Sequence, residues 1–189
     1  IEADVRSARE MRNGDVWLGG ASQGIQVVRP GVGLVATFAP EPGVPGELQN
    51  GYIFGFEQLT DGKIWVASNL SGVYRFAPSN ESFTQYTTEQ GLSDNSVRAL
   101  LAEGDHTLWL GTDAGLTVLD LTSGEFEIIP LQGANSTPFV KPVETLLLFN
   151  GDLWVGTNSG LYVVPKGSRE LVLVRSDPAA PLADNFVSD

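Results

Sequence analysis

Four tryptophans fix what this chain can fold into. Trp17, Trp65, Trp109 and Trp154 are all the tryptophan it has, and they stand 48, 44 and 45 residues apart. Each lies in the same short text: Val16-Trp17-Leu18-Gly19-Gly20, Ile64-Trp65-Val66-Ala67-Ser68, Leu108-Trp109-Leu110-Gly111-Thr112 and Leu153-Trp154-Val155-Gly156-Thr157. A glycine follows each time, at Gly24, Gly72, Gly115 and Gly160, and starts another apolar run. A period near 45 with this internal agreement marks a repeat architecture.

Within one period the pattern is that of short strands. Residues 94–120 read as an extended run from Val97, a turn at Glu103-Gly104-Asp105, a strand through Trp109, a turn closed by Gly115 and a third strand ending at Asp120. Alternation, β-branched content and turn signals such as Asn13-Gly14-Asp15 and Asn150-Gly151-Asp152 favour hairpins, and no segment keeps a helical period. A fourth strand is expected in each unit, at Leu34–Phe38, Phe83–Tyr86, Phe126–Ile129 and Leu171–Val174.

Four antiparallel strands in about 45 residues are one propeller blade, and blades must stack to bury their faces. The expected fold is therefore an all-β propeller of four four-stranded meanders, which can close as a small ring, pair with a second copy into an eight-bladed ring or form an open arc of a larger one. Blades fall at about 5–50, 51–94, 95–140 and 141–184, with a further blade starting at 185–189, where Leu182–Val187 matches Leu92–Val97. The tryptophans and the glycines Gly24, Gly72, Gly115 and Gly160 are read as structural, the indoles filling the wedge between sheets. The Pro/Gly-rich segment 39–51, APEPGVPGELQNG, reads as a surface loop whose acidic tip covers one end of the fold.

Composition narrows the function. Eleven Lys and Arg against 23 Asp and Glu give a net charge of -12, a surface that repels phosphate backbones and anionic lipid, so nucleic acid is not an expected partner. Without cysteine and with His106 as the one histidine, zinc has no ligand set. His106, Asp61, Asp105 and Asp152 sit in hairpin turns, where aspartate bonds the backbone beyond it. No metal or cofactor is expected.

Aligning the first strands of the four units puts Ser7, Gly55, Ala99 and Thr145 in one column, whose small side chains would allow close approach. The next column holds Arg6, Phe54, Arg98 and Glu144. With strict alternation each column has one direction. Arginine forks suit acidic groups and an aromatic face suits a pyranose, so these four are the candidate ligand residues; the competing reading makes them blade-to-blade salt links. A glycosidase needs two opposed carboxylates, and the nearest inner-strand pair, Glu57 and Glu144, lies in different columns. No catalytic residue is assigned.

The repeats resemble the two-component regulator propeller family, whose blades carry aspartate, glycine, an apolar residue, Trp, an apolar residue, Gly-Thr, a short turn and Gly-Leu. Here Asp105–Leu116 follows it with His106-Thr107 for the glycine, and Gly151–Leu161 with the first two residues reversed. The connector Gly91-Leu92-Ser93-Asp94-Asn95-Ser96-Val97 is similar to the family's link between blades. Gly20, Ala67 and Ser68 depart from the pattern but stay small.

The resemblance implies that the four blades are part of a larger, seven-bladed propeller in the periplasmic, ligand-sensing part of a membrane-bound sensor histidine kinase or diguanylate cyclase. Its partners would be an oligosaccharide or other small ligand, further blades and a membrane-linked output domain of the same protein. Open blade faces would also allow a homo-oligomer. A protein-interaction scaffold and a polysaccharide-processing propeller enzyme are the alternatives.

Overall fold

The computed structural model describes residues 4–130 and 141–174; the expected start of a further blade at 185–189 lies outside them. Sixteen strands form four four-stranded antiparallel sheets, each in the order of the sequence. The first holds β1 (Val5–Glu10), β2 (Val16–Gly20), β3 (Ile25–Arg29) and β4 (Gly33–Phe38). The second holds β5 (Ile53–Gln58), β6 (Ile64–Ser68), β7 (Val73–Ala77) and β8 (Ser82–Tyr86). The third is β9 (Val97–Glu103), β10 (Thr107–Thr112), β11 (Gly115–Asp120) and β12 (Phe126–Ile128). The fourth is β13 (Val143–Phe149), β14 (Asp152–Thr157), β15 (Gly160–Val164) and β16 (Val172–Leu173). A single 3-10 turn at Thr88–Gln90 is the one helical element among the described residues.

The sheets group into two compact units. One comprises residues up to Gln90 together with Asn95–Val97, and the other Gly91–Asp94 together with residues from Arg98 on. The connector is thus divided: Asn95 accepts from the Gly72 amide at 2.6 Å in the first unit, while Ser93 bonds Thr112 and Thr117 in the second.

In the first unit Trp17 on β2 is buried against the second sheet. Its ring meets Phe56 and Phe76 edge-on at 5.8 and 5.1 Å and stacks on Phe38 at 5.7 Å. Such pairs add to burial because ring edges carry the opposite partial charge to ring faces. In the second unit Trp109 belongs to the core shared by the third and fourth sheets with Val143, Leu153 and Val164. Trp65 is buried beside Tyr86 of its own sheet, and Trp154 is half-buried.

The glycine that follows two residues after the tryptophan has a steric cause. A Cβ on Gly19 would lie 2.7 Å from Ile53 Cγ2, and one on Gly111 would lie 2.5 Å from Val143 Cγ1. Ile53 and Val143 open the first strand of the next sheet and are fully buried. The next residue closes the β2–β3 type hairpin: Thr112 and Thr157 donate to the carbonyls of Gly115 and Gly160 at 3.0 and 2.7 Å, and Ser68 does so to Gly72 at 2.8 Å. A hydroxyl there is structural. Gly20 lacks it and uses its amide, donating to Gly24 O at 3.0 Å.

Segment 39–51 is an ordered loop seated on an outer strand. The Phe83 amide of β8 donates to Gly46 O at 2.8 Å, Leu48 is fully buried, and the Gln49 amide donates to the Tyr74 hydroxyl at 3.0 Å. Leu48 supplies the apolar anchor and Gln49 the local bonds that hold a Pro/Gly-rich stretch in one conformation.

Two glycines test this account from opposite sides. Gly24 has φ of +78° and a Cβ there would lie 2.1 Å from Phe38 O. Gly24→Ala should therefore lower the unfolding free energy by about 2–4 kcal/mol, left-handed backbone and overpacking combined. Gly55 is open, with nothing within 4 Å of an added Cβ, so close approach does not explain its small size. Gly55→Ala should be neutral or stabilise by up to about 1 kcal/mol through the unfolded chain. Urea unfolding of both variants distinguishes them.

Candidate functional site

The candidate column owes its geometry to β-bulges. In β1–β2, Val5 pairs Gly20 and Ser7 pairs Gly19, which leaves Arg6 as the extra residue. In β5–β6, Ile53 pairs Ser68 and Gly55 pairs Ala67, leaving Phe54. In β13–β14, Val143 pairs Thr157 and Thr145 pairs Gly156, leaving Glu144. Strict alternation therefore fails at these residues. A bulge inserts one residue, bends the strand and re-aims a side chain.

In the first unit the structure brings Arg6 and Phe54 to the same tyrosine. The Arg6 guanidinium lies 5.8 Å over the Tyr52 ring and ion-pairs with Asp4 at 2.9 Å. The Tyr52 and Phe54 rings are 4.9 Å apart. The result is a cation and two aromatic rings side by side, with the arginine side chain half exposed. Tyr52, the last connector residue before β5, was not singled out by sequence.

In the second unit Arg98 on β9 joins two carboxylates. Its Nε donates to Asp113 in the β10–β11 turn, and Nη1 donates to Glu144 Oε2 at 3.3 Å. The bond to Asp113 is the main reason its pKa is held above the usual arginine value, with burial opposing and the nearby charges adding. All three side chains are partly buried, at 32, 34 and 22% exposure for Arg98, Asp113 and Glu144. Charge attraction thus ties adjacent sheets, and the site still offers carboxylate oxygens as acceptors and guanidinium N–H groups as donors. A neutral polyhydroxyl compound suits such a mixed set better than an acid does, because the arginine charge is already matched twice.

Glu57, the other inner-strand carboxylate, goes to Arg9 at 3.2 Å. Burial raises its pKa, and Arg9 and Arg12 pull in the opposite direction without cancelling it.

A four-sheet succession of antiparallel meanders with a tryptophan on each second strand defines the class: these are β-propeller blades. Residues 91–114 match the family described as two component regulator propeller. The match falls where the Gly-Leu-Ser-Asp-Asn connector and the Trp-Leu-Gly-Thr text occur together; the fourth unit has only the related Trp-Val-Gly-Thr.

Histidine kinase P4 of Formosa agariphila is 33% identical over 114 residues, 56% of this chain and 8% of that protein. Among solved structures, the extracellular domain of a putative one component system from B. thetaiotaomicron superposes with a TM-score of 0.77 at 24% identity, over 97% of this chain and 24% of that one. The extracellular domain of a putative hybrid two component system from the same organism gives 0.75 at 25% identity, again over 97% and 24%. The chain thus spans about a quarter of the structural relatives and a small part of the kinase.

A pH measurement tests the buried carboxylate. With its folded pKa raised, Glu57 contributes stability that is present below the ordinary carboxylate range and is lost as pH rises through its folded pKa. Glu57→Gln should be more stable than the parent near pH 7, and the gain should shrink on acidification. A variant less stable at neutral pH would mean that the Arg9 pair outweighs burial.

Proposed function

We propose that this chain is the extracytoplasmic ligand-sensing module of a membrane-bound two-component receptor, and that it binds a carbohydrate at the bulged first strands. One observation carries the reading: Arg6, Phe54 and Glu144 are each the extra residue of a bulge, in a chain whose third repeat matches a two component regulator propeller. The relatives named as extracellular domains and as a histidine kinase support the receptor and its placement. The blade boundaries expected from sequence, and further blades beyond them, belong to the same proposal.

The mechanism is a shift of population. Arg98 ties β9 to β13 through Glu144 and to the β10–β11 turn through Asp113. Hydroxyl groups that bond these carboxylates would redistribute the links between adjacent sheets, and a ligand with different affinity for the two arrangements biases the receptor. Within the first unit, and separately, the Tyr52–Phe54 ring pair offers a surface to the apolar face of a sugar ring.

The test is calorimetric titration of the full chain with a panel of neutral and acidic oligosaccharides. A neutral oligosaccharide should bind saturably, and Arg98→Ala and Glu144→Gln should each weaken it by about tenfold or more, about 1.4 kcal/mol. Binding that both variants leave unchanged would place the ligand elsewhere and end this assignment.

A further inference from the structure

The second unit contains a groove of about 380 Å³ away from the bulges, between the turn that follows β9 and the turn that follows β15. Its walls include Glu103, Thr107, Trp109, Lys166, Ser168 and Arg169. Three features make it chemically distinct. The Arg169 guanidinium lies 5.5 Å over the Trp109 ring and, among the described residues, is held otherwise only by a loose pair with Glu127 at 3.9 Å, both side chains half exposed. Trp109 Nε1 donates to Glu103 Oε2 at 2.9 Å, which fixes the indole and engages one oxygen of the nearby acid.

Lys166 is the third. Its stem lies along Gly151, where an added Cβ would meet Lys166 Cδ at 2.8 Å. Its amide donates to Asp152 Oδ1 at 2.8 Å, and Ser168 N to Pro165 O at 2.8 Å closes the turn. Among the described residues the Lys166 ammonium makes no ion pair or hydrogen bond.

The corresponding groove of the first unit provides an internal comparison. It also has a tryptophan, Trp17, in its lining, but its cation is committed: Arg29 donates twice to Asp15, at 2.7 and 2.9 Å, and Glu81 adds negative charge. The same place in the repeat therefore offers an uncommitted ammonium and a weakly held guanidinium only in the second unit. The protein as a whole carries a net charge of -12, so two such cations lining one concave surface are not explained by general composition.

We propose that this groove is a second binding site, for a small hydroxylated carboxylate such as a sugar acid. The carboxylate sits between Lys166 and Arg169, and its hydroxyls reach Glu103, Thr107 and Ser168. Arginine leaves the indole face to make a charge-assisted bond, which is stronger than the cation–ring contact it replaces. The site does not depend on the bulge residues, so Arg98→Ala and Glu144→Gln should leave it intact.

Calorimetric titration of the full chain at low salt with D-glucuronate, D-glucose and sulfate tests it. Glucuronate should bind once per chain, glucose at least tenfold more weakly, and Lys166→Met and Arg169→Gln should each cost tenfold or more. Arg169→Lys should recover part of the loss, and Arg29→Gln should have no effect. All variants are at half-exposed or exposed positions, and unchanged thermal unfolding confirms that each is folded. Absence of saturation by about 20 mM glucuronate, equal binding of glucose, or wild-type binding by both Lys166→Met and Arg169→Gln overturns the site. Sulfate binding as tightly as glucuronate overturns the hydroxylated ligand.

Discussion

Everything else in the structure depends on how closely the first strand of one sheet can approach the second strand of the sheet before it. Gly19 and Gly111 remove the Cβ atoms that would collide with Ile53 and Val143, and those fully buried side chains then seat beside the aromatic and aliphatic cores. In close-packed interiors a single methyl group in the wrong place forces backbone to move. The tryptophan two residues earlier fills the wider part of the wedge, so one short piece of sequence sets both the narrow and the broad end of the gap between sheets.

That arrangement places chemistry at the ends of the first strands. The bulges at Arg6, Phe54 and Glu144 interrupt the ladder just beyond the tightly packed Ile53 and Val143 positions. A residue freed from cross-strand pairing can vary without loss of the core. The column accordingly holds a cation, an aromatic ring and an anion where the preceding column holds only Val5, Ile53, Val97 and Val143. Variation beside constancy is what a binding surface carried on a repeated frame requires.

The fold was legible because its determinants are local: tryptophan spacing, turn dipeptides and the alternation of short strands. The four sheets follow from them directly. The candidate column was found by alignment, but not the bulges, since a register shift of one residue leaves no mark in composition. Asp113 and Tyr52 were missed for a different reason. Asp113 looks like any turn aspartate until the turn is set beside β9, and Tyr52 like any connector residue until Arg6 is laid over it. The loop 39–51 was legible as a loop, but its seat on β8 depends on Leu48, a single apolar residue among turn formers.

The division of the connector has a consequence for how such a chain can be built and rebuilt. Gly91–Asp94 is counted with the second unit and Asn95–Val97 with the first, although both stretches precede the same strand. The sequence repeat and the compact unit are therefore out of phase by a few residues. A chain cut at the boundary between sequence periods, between Asp94 and Asn95, would separate Asn95 from the Gly72 amide it accepts from and Ser93 from its two threonines.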